Sequence, residues 1–373
     1  MLTIFRICLI VFAAALLSQA EPQQTAFRIV KETDARPVSN DRPSPAVLLP
    51  VLGFVLDNAG GLRPYIGVPG AASIGRPLDL GFPVTRAVVS PAHDYILATV
   101  KDGEWPLLLQ VSGDTITVRS TAFITGSGQP HSCEWIDPPS SPRRALKCSV
   151  GPTSDGAPRI DRITLSPTGS AAAFFSESQR RIYVFNNMSR APAPLGNLEV
   201  GGLGSITAIG ISDDGKTALV GVSDGNGGAL FLVELGQPPR LVASMRHPSA
   251  IAFLHRSAGA VIADDVENKI YAFSNGKVVT LATAENGISA PMALAVAKDN
   301  QRIFAGNWES RSVTTIGLNR TFSEPLFCNC ILTGLHPTNA DSVFRLTDFL
   351  GNPVVLFDAN GPRTIFVPAS SQF

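Results

Sequence analysis

Apolar residues in this chain come in short runs, many of them alternating with small or polar residues, and a compact polar turn breaks each run. Ala208-Ile-Gly-Ile leads into Ser212-Asp-Asp-Gly-Lys and then into the apolar run Thr217–Val222. Lys269-Ile-Tyr-Ala-Phe reaches Ser-Asn275-Gly276-Lys and returns as Val278–Ala282, and Val354–Phe357 returns through Asp-Ala-Asn360-Gly361 as Thr364–Val367. Period-two alternation closed by Asp-Gly and Asn-Gly predicts strands joined in tight hairpins, because these residues accept the left-handed backbone of such turns.

The hairpins repeat. Arg162-Ile-Thr-Leu-Ser-Pro-Thr-Gly, Ala208-Ile-Gly-Ile-Ser-Asp-Asp-Gly, Ala250-Ile-Ala-Phe-Leu and Ala293-Leu-Ala-Val-Ala-Lys-Asp-Asn open successive units, and Arg86-Ala-Val-Val-Ser-Pro opens an earlier one. The turn positions Ser166, Ser212, Leu254 and Ala297 stand 46, 42 and 43 residues apart. A period of this length with short strands predicts an all-β protein, a β-propeller of four-stranded antiparallel blades. First hairpins fall near Ser90, Ser166, Ser212, Leu254, Ala297 and Thr338. Second hairpins fall near Phe54, Leu108, Tyr183, Phe231, Tyr271, Thr314 and Val355. That count predicts seven blades, with six and eight as the alternatives. The first unit shows only a second hairpin, whose partner strands come from Ala26–Leu49 or from elsewhere. Ser90 and Ser166 stand 76 residues apart; the excess, Thr121–Arg159, is a degenerate blade or a long inserted loop.

Residues 1–20 read as a secretory signal: Arg6, the apolar run Ile7–Leu17, then Ser18 and Ala20 at the positions a signal peptidase reads. The run is short for a membrane span, and no later segment is long enough. Residues 21–50 read as an extended lead-in with a strand-like piece at Ala26–Val30, and 51–373 as one propeller with the irregular insert 121–159. The mature chain is expected to be exported, periplasmic or extracellular, with no integral membrane segment.

The whole chain carries 30 basic and 30 acidic residues. Loss of Arg6 leaves a formal charge of −1, which argues against a nucleic-acid partner. Four cysteines remain after Cys8 leaves with the signal, an even number in an exported chain. Cys133–Cys148 is the favoured disulfide; it closes an irregular loop and contributes about 3 kcal/mol if unstrained. Cys328 and Cys330 pair with each other or stay reduced. A zinc site of four thiolates lacks the usual C-x2-C spacing.

The turns Ser212-Asp-Asp-Gly-Lys, Ser166-Pro-Thr-Gly-Ser and Ser90-Pro-Ala-His-Asp resemble the Ser-Pro-Asp-Gly-Lys turn of TolB-like and YVTN-type propellers, a WD-like repeat family found in exported bacterial proteins. Ala260-Val-Ile-Ala-Asp-Asp-Val-Glu-Asn-Lys-Ile-Tyr-Ala-Phe is similar to the YVTN pattern, and the segment from Gly53 to Ala71 is similar to segments of such proteins. The resemblance covers roughly Val51–Pro368. It implies the propeller fold and a choice among binding proteins, scaffolds and a few hydrolases.

Overlaying the units gives the candidate site. The loop between the two hairpins carries an acid in six of them: Asp102 with Glu104, Glu177, Asp224, Asp264 with Asp265, Glu309 and Asp348. Radial blades place these loops on one face, where a ring of acids would attract a Ca2+ ion or a basic partner segment. The plainer reading is that Asp, Asn and Glu suit loops that bond their own backbone. Trp105 and Trp308 sit in the same class of loop, beside Glu104 and Asn307, as a binding surface for protein or glycan or as interblade packing. No catalytic motif and no nucleophile elbow is present. The expected function is a binding or interaction module without a cofactor. The alternative is a divalent-metal hydrolase of the propeller lactonase type, with Glu177, Asp224, Asp264 and Asn307 as its ligands.

Overall fold

The computed structural model describes residues 50–100, 105–113, 115–119, 158–349 and 353–369, and the backbone of 28–30, 132–136 and 145–149. Seven sheets stand around one axis as the blades of a propeller. Blade 1 holds Val51–Leu56, Leu62–Val68 and Ala71–Ile74; blade 2 runs over Arg86–Val89, Tyr95–Thr99, Leu107–Ser112 and Thr115–Arg119. Blade 3 is Arg162–Leu165, Ala171–Ser176, Arg181–Asn186 and Ala193–Glu199. Blade 4 is Ser205–Ile211, Thr217–Ser223, Gly228–Glu234 and Arg240–Met245. Blade 5 is Pro248–Phe253, Ala260–Asp264, Lys269–Ser274 and Lys277–Ala282. Blade 6 is Pro291–Val296, Arg302–Asn307, Ser312–Gly317 and Leu326–Phe327; blade 7 is His336–Pro337, Val343–Arg345, Val354–Asp358 and Arg363–Val367. Within each blade the strands follow one another antiparallel in chain order, and the first strands of blades 2–7 line the axis.

Period-two alternation explains the stacking. In the second strand of blade 3, Ala172 and Phe174 face blade 2, whereas Ala173 and Phe175 face blade 4. Both faces of a blade are therefore apolar, and seven buried clusters fill the seven interfaces of the closed ring. Each fully buried aromatic or aliphatic side chain at these interfaces contributes roughly 1.5–3 kcal/mol.

The turns between first and second strands define one face of the disc, the turn face. The loops between second and third strands define the opposite loop face. Gly215 (φ 72°) and Gly169 (φ 75°) take the left-handed position of their turns, and His93 (φ 57°) occupies the same position in blade 2. Asn275 and Gly276 both have positive φ, as a tight Asn-Gly hairpin requires. Asn360 and Gly361 do not; Pro362 follows Gly361, where it disfavours the helical backbone at Gly361, and the turn spans 359–362.

Blade 1 corrects the sequence reading in detail. Asn339 N in blade 7's first turn donates to Leu52 O, and Asp57 bridges to Phe349 in blade 7's loop. Val51–Leu56 therefore runs from the turn face to the loop face, as second strands do. The three strands of blade 1 take the second, third and fourth positions, and Ala71–Ile74 is the strand the sequence did not show. Arg28–Val30 does not complete this blade; it pairs in parallel with Thr115–Thr117 at the outer edge of blade 2. The ring closes by side-chain packing of blade 1 on blade 7 and by Ile74 N donating to Pro368 O, with no sheet shared between the two ends of the described chain. Within the insert, Ser132–Ile136 and Ala145–Ser149 form a two-stranded sheet of their own, in which Cys133 and Cys148 are direct partners in register. Residues 1–20 and most of 21–50 lie outside the described residues.

Candidate functional site

One position recurs around the loop face. Thr99, Ser176, Ser223, Asp264 and Asn307 end the second strands of blades 2–6, and all five are buried. A polar side chain buried at a strand end must find partners; Thr99 finds one in the Thr85 hydroxyl, while Ser176, Ser223, Asp264 and Asn307 all bond to main-chain groups. Asp264 Oδ2 accepts from Arg246 N (2.8 Å) and His247 N (3.0 Å), in the segment leading into its own blade. Its Oδ1 accepts from Val266 N (3.2 Å) and Glu267 N (2.9 Å) in the loop that follows. Asn307 repeats the device: Oδ1 accepts from Ser289 N (3.1 Å), and Nδ2 donates to Gly287 O, Ser312 Oγ and Thr314 Oγ1. Two candidate ligands are thus occupied in stapling blade to connector.

The other acids sit apart from these. Asp224 is fully exposed and accepts from Asn226 N and Gly227 N of its own loop, which hold its carboxyl below the usual range. Glu177 pairs with Arg180 at 2.6 Å. Glu309 accepts from Ser289 Oγ at 3.1 Å. Asp348 is bonded to Arg345; burial pushes its carboxyl up, but the guanidinium outweighs it and the net direction is down. Asp102 lies outside the described residues. Among the described residues, no three His, Cys, Asp or Glu side chains converge as a metal site.

The tryptophans divide. Trp105 stacks edge-on against Phe174, Tyr183 and Phe185 of blade 3, with centroids 5.3–6.0 Å away, and is part of the interblade core. Trp308 is 52% exposed on the loop face of blade 6. Its turn bonds onward: Cys328 N donates to Arg311 O, and Cys328 is disulfide-bonded to Cys330. Phe327 and Ile331, which flank this disulfide, are 66% and 61% exposed. Phe327-Cys-Asn-Cys-Ile331 is readable in the sequence, but its apolar ends have no period that separates surface from core.

A polar girdle spans the loop-face mouth of the axis from blade 2 to blade 6. Arg86 Nη1 donates to Asp161 O (2.8 Å), Arg162 Nη1 to Thr207 O, Thr207 Oγ1 to Pro248 O, and Ser249 Oγ to Pro291 O. Each donor sits at the start of a first strand and reaches the neighbouring blade. The sequence reading missed it, because the donors change from Arg86 and Arg162 to Thr207 and Ser249 and shift by one position along the strand between blades 3 and 4.

No family model matches the chain, and no curated protein matches its sequence. Solved structures match its fold. A functionally unknown protein from Desulfotomaculum acetoxidans DSM 771 superposes with a TM-score of 0.57 at 12% identity, covering 85% of this chain and 95% of that one. A chain of a nidogen/laminin complex gives a TM-score of 0.42 at 13% identity, covering 75% and 94%. The first likeness supports the fold alone: this chain is a seven-bladed β-propeller.

Proposed function

We propose that this protein is an exported propeller of the YVTN/TolB-like kind that works as a protein-binding module through the loop face of blade 6. The observation that carries the reading is the exposure of Trp308, Phe327 and Ile331 on adjoining segments tied by a main-chain bond and a disulfide. Large apolar side chains left in water are costly, and neighbouring aromatic and aliphatic side chains exposed in this way commonly anchor protein interfaces. Glu309 and Arg311 beside it supply a charged rim. The Asp264 and Asn307 positions support the fold, which favours binding over the hydrolase alternative that would use them.

A photo-crosslinking amino acid at position 327, in the native host, tests this. The expected result is a discrete protein adduct that disappears when Trp308→Ala is added, with affinity for the captured partner falling at least about tenfold. No adduct, or the same adduct from a crosslinker at the exposed position Val279 of blade 5, would overturn it.

A further inference from the structure

Two cavities meet on the propeller axis. One of about 550 Å3 opens at the loop face, and one of about 830 Å3 reaches toward the turn face. Both are lined by Ile163, Thr164, Ile251 and Leu294, so they adjoin end to end along the axial bore. First strands of up to seven residues, rising about 3.3 Å per residue, give it a length on the order of 20 Å. Its wall is mixed: Ile163, Ile251 and Leu294 form apolar stretches beside Thr164, and the turn-face half adds Ser166, Thr168 and Asn300. Its loop-face mouth carries the guanidiniums of Arg86 and Arg162 from adjacent blades.

Each guanidinium is fixed by one bond to the next blade's carbonyl, which leaves most of its five donors open. Neither has a carboxylate partner among the described residues. The neighbouring Asp161 carboxylate does not serve them: it accepts from Arg159 Nε and Glu177 N. At the turn-face end the cation Lys298 already faces Asp341 at 3.9 Å. Arg256 also lines the turn-face end without a carboxylate partner among the described residues, so unpaired cations stand at both ends; the loop-face mouth differs in presenting two of them from adjacent blades.

We propose that the bore binds a linear amphiphile with a carboxylate head, the head on Arg86 and Arg162 and the alkyl tail along the axis. Two fixed guanidiniums suit the fork of a carboxylate, and the apolar stretches of the concave wall strengthen their field. The tail gains from leaving water for the Ile, Leu and Ala side chains of the wall. This inference uses other residues than the loop-face patch of blade 6 and stands or falls separately from it.

Calorimetric titration of the mature chain with decanoate, below its micelle concentration, tests the site. Saturable one-site binding is expected, with decanol and decylammonium at least tenfold weaker. The double variant Arg86→Gln/Arg162→Gln should weaken decanoate at least tenfold, and Arg86→Lys/Arg162→Lys should recover part of the loss. Because removal of the arginines also disturbs the girdle, Ala250, which lines the loop-face cavity and also packs at the interface of blades 5 and 6, provides the second arm: Ala250→Phe narrows the bore, leaves both arginines unchanged and should abolish binding. Absence of saturable binding to the wild type, equal binding of decylammonium, or decanoate affinity unchanged in the Gln double variant or in Ala250→Phe would overturn the proposal.

Discussion

His93 Nε2 donates to the Pro337 carbonyl oxygen at 3.1 Å and so joins blade 2 directly to blade 7. The contact exists because blade 1, between them, has no strand at the axial position among the described residues. His93 stands where other turns have Gly, with φ at 57°, and is 8% exposed. With the proton on Nε2, Nδ1 is buried without a partner. The imidazole is built to be neutral here.

Burial pushes His93 down to about 4, ahead of the opposing pull of the Pro337 carbonyl. The unfolded chain has a His pKa of about 6.5, so as pH falls the unfolded state binds the proton first. The stability carried by neutral His93 is complete above pH of about 6.5 and lost by about 4, on the order of 3 kcal/mol across the window. Urea unfolding at pH 7 and pH 4 should show this loss. His93→Asn, which tolerates the left-handed backbone, should reduce the loss between those two pH values. An unchanged slope would remove His93 as its source.

Asp264 and Asp224 occupy equivalent loops with opposite environments. Asp264→Ala strips the acceptor from four main-chain amides and should lower unfolding stability by about 3 kcal/mol. Asp264→Asn, which keeps one oxygen, should fall between this variant and the wild type. Asp224→Ala should leave the denaturation midpoint nearly unmoved, because its loop is fully in water. Equal effects from Asp264→Ala and Asp224→Ala in urea melts would contradict the stapling role.

The same pair shows where sequence reading stops. Ser212-Asp-Asp-Gly-Lys announces its turn, because Gly215 must take positive φ and Ser212 Oγ accepts from Thr217 N within the same few residues. Such local chemistry, repeated, was enough to read seven blades. The acids of the loop face are different. In sequence a carboxylate that caps a buried connector looks the same as one that awaits a cation; the difference lies in Arg246 and His247 folding back onto Asp264. Trp105 and Trp308 are equally alike on paper. Blade 3 supplies three aromatic rings around the first, and the second is half-exposed on its surface turn. Ala71–Ile74 escaped notice because its short segment lies between Gly70 and Gly75 and alternates weakly.

Metal addition gives a direct readout on that acid ring. With Asp264 and Asn307 occupied by the main chain and Glu177 paired with Arg180, Ca2+ should shift the melting temperature by less than about 1 °C relative to EDTA, since stabilisation by mass action requires binding to the folded state. A calcium-dependent rise of several degrees would instead make the loop face a cation site and reopen the hydrolase reading.

Gly210 measures how tightly the first strands approach around the axis. A Cβ placed there would lie 2.5 Å from Ile251 Cγ2 and 3.3 Å from Phe253 Cδ2, both on the first strand of the next blade. Ile251 is stiff at χ1, so it cannot swing aside without moving its strand. Gly210→Ala should therefore cost about 2 kcal/mol by overpacking, although Ala is otherwise the easier residue to order in a strand. Gly227→Ala is the matched control: no atom stands within 4 Å of its Cβ, and its effect should stay within about 0.5 kcal/mol. Denaturant midpoints of the two variants give the comparison directly. If Gly210→Ala is as stable as Gly227→Ala, the first strands are free to spread, and the axial bore is wider and more compliant than its static lining implies.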